Sequence, residues 1–187
     1  VKEVRSAVTS SDAQWTSESL AYIRPQAAED AWSQEAQQLQ MVGSQQLLRV
    51  ETCLPPQDIA EGFGLKSHEL AVVRERLVLL NGRPVEIATS WYPHTLASGT
   101  PLTESKKIRG GAVTLLSHLG HEIAYVTEEV ASRLATPFEA STLTLGKQEP
   151  VLVLTRLARD RNEEPVEMSV MVTPGNERRL RYEMKVN

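Results

Sequence analysis

The chain has 187 residues, 41% of them hydrophobic and 24% charged, enough for one domain with a sizeable core and a less ordered arm. Its formal net charge of -4 argues against a nucleic-acid-binding surface on this piece alone, because neutralising phosphates takes clustered Lys and Arg. A single cysteine, Cys53, excludes an intrachain disulfide and suits a reducing cytoplasm; no apolar run approaches the roughly 20 residues that span a bilayer.

Residues 1 to about 28 are rich in Ser, Thr, Ala and Glu and show weak periodicity, which reads as an arm or linker. The first residue is Val, and the opening stretch has no apolar signal-peptide core, as expected for a fragment of something longer. The stretch AAEDAWSQEAQQLQMVG predicts a helix with a solvated Gln-rich face, stopped near Gly43. From Gln46 the texture turns to short β-like runs. QLLRVETCL is a strand, and PPQDIAEGFGL a short helix opened by Pro55 and Pro56 and closed near Gly64. ELAVVRERLVLL and RPVEIATSWYP flank Asn81-Gly82, a pair that tolerates positive φ and signals a hairpin. GGAVTLLSHLGHE predicts a helix with Val113, Leu115, Leu116 and Leu119 on one face, ended by Gly120. EIAYVTEEVASRLA is a strand whose later part is also compatible with helix. TPFEASTLTLG is a helix with Thr136 as N-cap and Pro137 at its first position. Three strands close the chain: PVLVLTRLARD, PVEMSVMVT and RRLRYEMKV.

The most informative feature is an internal repeat. IAEGFGLKSHELAVVRERLVLLNGRPVEIATSW can be laid over EASTLTLGKQEPVLVLTRLARDRNEEPVEMSVMV, matching Leu65 to Leu145, Val73 to Val153, Arg76 to Arg156 and Leu77 to Leu157. After one inserted residue, Pro84-Val85-Glu86 matches Pro165-Val166-Glu167. General hairpin rules could produce such likeness, but the shared Pro-Val-Glu favours duplication. Each copy is a short helix followed by a hairpin. Two copies can pair into one antiparallel sheet with their helices on one side, an α+β layout.

Strand alternation sorts the candidate site residues. Arg74, Arg76, Val78 and Leu80 share a face of the first hairpin strand; Glu86, Ala88, Ser90 and Tyr92 share one on the return strand, with Val85 opposite. The second copy offers Arg156 and Glu167. These charges sit among apolar neighbours, where an unpaired charge is costly. One reading makes Arg76–Glu86 and Arg156–Glu167 structural ion pairs. The other makes the group a polar pocket, with Arg74 and Arg76 as a fork for carboxylate or phosphate and the glutamates accepting hydroxyl or amine donors. Gly110-Gly111 precedes a helix whose N-terminus could hold an anion, although a turn explains the glycines as well. His118 and His121 are better read as helix-end or surface residues than as metal ligands. Cys53 lacks motif context. No acid–base constellation suited to an enzyme emerges, and no cofactor is implied.

From about Trp32 to Glu183 the chain resembles a UTRA domain, the effector-binding module of HutC-subfamily GntR regulators. The resemblance rests on VVRERLVLLNGRPVEIATSWYP, on GGAVTLLSHLGHEIAYVTEEVASRLAT, and on the closing block PFEASTLTLGKQEPVLVLTRLARDRNEEPVEMSVMVTPGNERRLRYEM. It implies a chorismate-lyase-like fold, a central antiparallel β-sheet with flanking helices and a pocket between them, here over residues 29–187. It implies a cytoplasmic homodimer, a small and anionic effector, no membrane contact, and DNA binding through a winged helix-turn-helix domain preceding this segment. The family's strand arginines map onto Arg74 and Arg76 and its glutamates onto Glu86 and Glu167; Ser90, Gly111 and Arg156 complete the candidate set. Sugar-phosphate-binding members carry a Ser and a Tyr where this chain has Gly111 and Val113, and a Tyr where it has Thr173. Those departures disfavour a phosphosugar and favour a larger or less polar ligand. The alternative function is a chorismate-lyase-like enzyme on the same fold.

Overall fold

A computed structural model describes residues 15–25, 30–146 and 148–183. Its centre is a six-stranded antiparallel sheet in the order β2-β3-β4-β7-β6-β5. The strands are β2 (Gly43–Cys53), β3 (Ala71–Leu80), β4 (Arg83–Pro93), β5 (Ile123–Leu134), β6 (Pro150–Asp160) and β7 (Pro165–Pro174). Two further strands, β1 (Trp15–Glu18) and β8 (Arg178–Arg181), form a separate parallel pair. The helices are α1 (Ala31–Gln38), α2 (Gln57–Phe63), α3 (His94–Ala97), α4 (Gly111–His118) and α5 (Pro137–Thr142). Among the described residues no helix is long and apolar enough to cross a membrane.

The two halves of the repeat, α2-β3-β4 and α5-β6-β7, meet where β4 pairs with β7. At the middle of that seam Thr89 lies opposite Val170. Each follows the proline of its own Pro-Val-Glu by five residues, so a local twofold axis passes between two equivalent positions. Ile59 and Phe63 of α2 pack with Val73 and Trp91, and Leu143 behind α5 packs with Ile87, Val151 and Val172. Both duplicated helices thus cover one face of the sheet, as the repeat predicted.

The turn chemistry holds as read. Asn81 and Gly82 have φ of 50° and 78°, the left-handed pair a tight hairpin needs. Thr136 caps α5 in a reciprocal box: its hydroxyl accepts from the Glu139 amide at 3.3 Å, and the Glu139 carboxylate accepts from the Thr136 amide at 2.8 Å. β5 is strand throughout.

Four expectations change. Within the segment read as an arm, residues 15–18 form β1, with Trp15 and Ser17 buried; residues 1–14 and 26–29 lie outside the described residues. RRLRYEMKV yields only the short β8, apart from the main sheet, and Met184 to Val186 are also outside the description. Leu119 is exposed rather than core, because Thr114 and Leu116 carry the buried stripe of α4. Val85 packs with Val78 and Leu80, on the face it was expected to oppose. The cause is a bulge: the β3–β4 register shifts between Val78 and Leu79. The second copy shifts at the matching place, between Ala158 and Arg159, and Val166 packs with Ala158. A bulge puts two residues opposite one and re-aims the side chains beside it. Here the re-aimed side chains are Val85 and Val166, while Glu86 and Glu167 stay in register opposite Val78 and Ala158.

Candidate functional site

The other face of the sheet is covered by α1, α4 and the segment 15–25, and between them and the strands lies a cavity of about 110 Å³. A second hollow of about 60 Å³ adjoins it and shares Gln45, Arg76 and Gly111 among its walls. Of the residues expected at a site, Arg76, Glu86, Gly111, Arg156 and Glu167 all line the larger cavity. Ser90 lies beneath it, fully buried, and Arg74 lines the smaller hollow. Strand alternation from β3, β4, β6 and β7 therefore converges on one concavity.

The expected pairings do not form. Glu86 is bound by Arg178, whose Nη1 donates to its Oε2, and Arg156 donates from Nε to Glu128 Oε1 at 2.6 Å. Neither Arg76–Glu86 nor Arg156–Glu167 is an ion pair. The sequence reading could not find these partners, because Glu128 sits on β5 and Arg178 on β8, both remote in the chain.

Arg74 and Arg76 do not make a fork either. Arg74 is 4% exposed and clamps the loop after α3, donating to the carbonyls of Leu102, Glu104 and Lys106 at 2.7–2.8 Å and to that of Pro101 at 3.4 Å. Burial pulls its pKa below the usual guanidinium value. Arg76 is different. Its Nη2 donates to Ser90 Oγ at 3.0 Å and its Nη1 reaches Gln45 Oε1 at 3.5 Å, while its Nε is buried with no hydrogen-bond partner. Buried donors are almost always satisfied, so an orphan on a charged group in a cavity marks a place where a ligand or water belongs.

A chain of hydroxyls runs from Arg76 across the twofold seam. Ser90 Oγ is 2.8 Å from Ser169 Oγ, and Ser169 donates to Glu167 Oε1 at 2.9 Å. The same oxygen accepts from the Tyr92 hydroxyl at 2.8 Å. Burial, reinforced by the Glu167 charge, raises the Tyr92 pKa and keeps it a donor. Glu167 has no salt bridge among the described residues.

Sequence reasoning missed the wall built from the N-terminal segment. Tyr22 and Arg24 line the cavity opposite the sheet. Tyr22 donates to Glu35 Oε2 at 2.8 Å, and the Arg178 guanidinium lies 5.5 Å from the centre of its ring. Arg178 also donates from Nε to Ser17 Oγ at 2.7 Å, and Arg156 from Nη2 to Ser19 Oγ at 2.6 Å. Burial alone would lower the pKa of Arg178; the Glu86 carboxylate, together with Tyr22 and Glu35, outweighs it and the value is raised. Glu128 is held below the usual carboxylate range despite its own burial, by the Ser19 hydrogen bond and the Arg156 charge. Asp30 and Trp32 add the α1 end of the wall. Asp30 caps α1 through the Ser33 amide at 3.0 Å and meets Lys107 Nζ at 3.0 Å. Trp15 and Trp32 pack at 6.2 Å between ring centres. Two tryptophans bracketing a Ser- and Thr-rich stretch were the available signal that this stretch docks on the core.

His121 is the remaining expected polar group with a partner: its Nδ1 is 3.0 Å from Asp160 Oδ2, and His118 is exposed. Cys53 is half-buried at the edge of the α2 cluster.

A six-stranded antiparallel sheet with a charged cavity under its helices is the architecture of the chorismate-lyase-like effector-binding domains of transcriptional regulators, and the comparisons agree. The chain belongs to the UTRA domain family, whose model matches residues 38–179. It is 31% identical over 131 residues to an uncharacterized HTH-type transcriptional regulator of Streptomyces coelicolor, a match covering 68% of this chain and 49% of that protein. The chain thus spans about half the length of the curated relative it matches. Among solved structures it resembles PhnF from Mycobacterium smegmatis, with a TM-score of 0.76 at 16% identity, over 88% of this chain and 72% of that one. It also resembles the C-terminal domain of the histidine utilization repressor from Pseudomonas syringae, with a TM-score of 0.67 at 16% identity, over 77% and 99% of the two chains. These relatives are regulators, and none favours the enzyme alternative.

Proposed function

We propose that this chain senses a small molecule on behalf of a DNA-binding regulator, with the cavity beside Arg76 as its effector site. The observation that carries the reading is Arg76 itself: it lines the larger hollow, has no ion pair among the described residues, and keeps a buried Nε without a hydrogen-bond partner. The guanidinium supplies the anchor for an anionic group of the effector, as the family resemblance implies. Arg74 serves the site indirectly, by holding the 101–106 loop that leads into Gly110 and α4. The cavity volume suits a small ligand better than the larger one that the Gly111, Val113 and Thr173 departures suggested.

The coupling follows from what the walls are. The segment 15–25 leads toward the expected winged helix-turn-helix domain and also closes the cavity. A ligand that binds better with this segment in one position shifts the population toward it. In a homodimer, such a shift changes the half-site separation that two operator-binding domains present to DNA.

The test is the identity of small molecules released on denaturing the purified protein, read by mass spectrometry beside Arg76→Gln purified in parallel. A bound anion should be present in the parent and depleted at least about tenfold in the variant, the scale of losing a charge-assisted hydrogen bond. An effector found by this route that binds the variant unchanged would remove Arg76 from the site.

A further inference from the structure

Six charged side chains line the cavity: Arg24, Asp30, Arg76, Glu86, Arg156 and Glu167. Four are already engaged. Glu86 is matched by Arg178, Arg156 by Glu128, and Asp30 by Lys107; Arg24 has a partner of its own. Two remain without an ion pair among the described residues, and they carry opposite charge: Arg76 and Glu167. The twofold repeat explains the pattern. Arg76 and Arg156 are equivalent positions, as are Glu86 and Glu167. The chain's own β5, β8 and segment 15–25 consume one arginine and one glutamate, and leave one of each.

The free pair is held ready. Ser90 and Ser169, 0% and 6% exposed, tie the Arg76 guanidinium to the Glu167 carboxylate through three short hydrogen bonds. That chain fixes both groups within reach of one small molecule and fixes their rotamers before any ligand arrives, which lowers the ordering cost of binding. Ala88 and Met171, opposite each other on β4 and β7, and Val78 give the cavity an apolar floor. Ala112 and Val113, in the first turn of α4, line it as well, where helix amides lack intrahelical partners and favour an anion. The cavity therefore has a cationic end, an anionic end and a greasy middle.

We infer that the effector is a small zwitterion: an acid group seated on Arg76 and the start of α4, an ammonium seated on Glu167, and a short aliphatic link over Ala88 and Met171. This rests on the proposed sensor reading and narrows it. A dianion such as a phosphosugar or a dicarboxylate would place a second negative charge against Glu167, and desolvated like charges repel strongly.

The experiment compares chain-length-matched probes by calorimetry on the intact protein: γ-aminobutyrate and δ-aminovalerate, succinate and glutarate, putrescine and cadaverine. The amino acids are expected to bind at least about tenfold more tightly than the dicarboxylates and diamines, since each of those puts one wrong charge against a fixed group. Glu167→Gln keeps an oxygen for the Tyr92 hydroxyl and is expected to erase the preference for amino acids over dicarboxylates, whereas Arg76→Gln weakens both acid-bearing classes. Dicarboxylates that bind as well as the amino acids in the parent, with dependence on Arg76, overturn the zwitterion and leave the sensor reading intact. Six probes that bind alike, or not at all, also overturn it; the sensor reading is then judged by the co-purified molecule alone.

Discussion

Arg74 and Arg76 stand two residues apart on one strand face and look interchangeable in the sequence, yet their surroundings give them opposite duties. Four carbonyls surround Arg74, so its charge is spent on architecture. Arg76 meets one hydroxyl and one amide oxygen and retains an unfilled donor. Glu139 shows how a single carboxylate sets a pH limit. Two hydrogen bonds from Arg133, at 2.6 and 2.7 Å, and the Thr136 amide lower its pKa from 4.5 to about 2 against the effect of burial. A carboxylate depressed in the folded state contributes stability that is complete above its unfolded pKa and lost as pH falls through the folded one. The window is thus pH 4.5 down to about 2. Glu139→Gln should lower the denaturation midpoint at neutral pH and fall less steeply than the parent across that window. Urea titrations of both proteins at several pH values check this; parallel acid limbs would count against the Arg133–Glu139 account.

At the scale of elements, the close approach of α1 to β2 sets one wall of the cavity. A Cβ on Gly43 would lie 2.7 Å from the Ala36 Cβ and 2.8 Å from Trp32 Nε1. Ala36 is fully buried, and Trp32 donates from Nε1 to the Leu79 carbonyl at 3.1 Å, so neither neighbour has room to yield. Gly43→Ala is expected to cost about 1–3 kcal/mol by overpacking and to weaken effector binding by displacing Trp32. Thermal melting and ligand titration of the variant test both parts; a normal melt with normal affinity would show that α1 can slide without consequence. Most elements were legible beforehand because their signals are local. Asn81-Gly82, Thr136-Pro137 and the matched Pro-Val-Glu each specify a turn, a cap or a register within a few residues. The bulges at Val85 and Val166 were not legible, since an alternating pattern counts residues and a bulge adds one. The partners of Glu86 and Arg156 were hidden for a related reason: they come from β8 and β5, and no spacing rule connects positions so far apart.

For the molecule as a whole, the repeat builds a symmetric sheet and the remaining segments break its symmetry. Arg178 is the hub of that break, bonding Glu86 on the sheet and Ser17 on β1 while covering Tyr22. Removing one partner of a buried pair leaves the other charge uncompensated and is strongly destabilising locally. Arg178→Met is therefore expected to raise hydrogen–deuterium exchange across residues 15–22 while the amides of β4 and β7 stay protected. Effector binding to the parent should slow exchange in the same segment. Exchange at 15–22 that ignores both changes would disconnect this wall from the cavity.

The parallel pairing of β1 with β8 has a bearing on how the protein comes into being. Trp15 finds its register against Arg178, a residue that follows all six strands of the main sheet in the chain. A nascent chain emerging from the ribosome can zip its six-stranded sheet before that happens, but contacts so distant in sequence form late. The outer wall of the hollow is then laid down only after β8 has been translated, and until that moment the cavity stands open on one side.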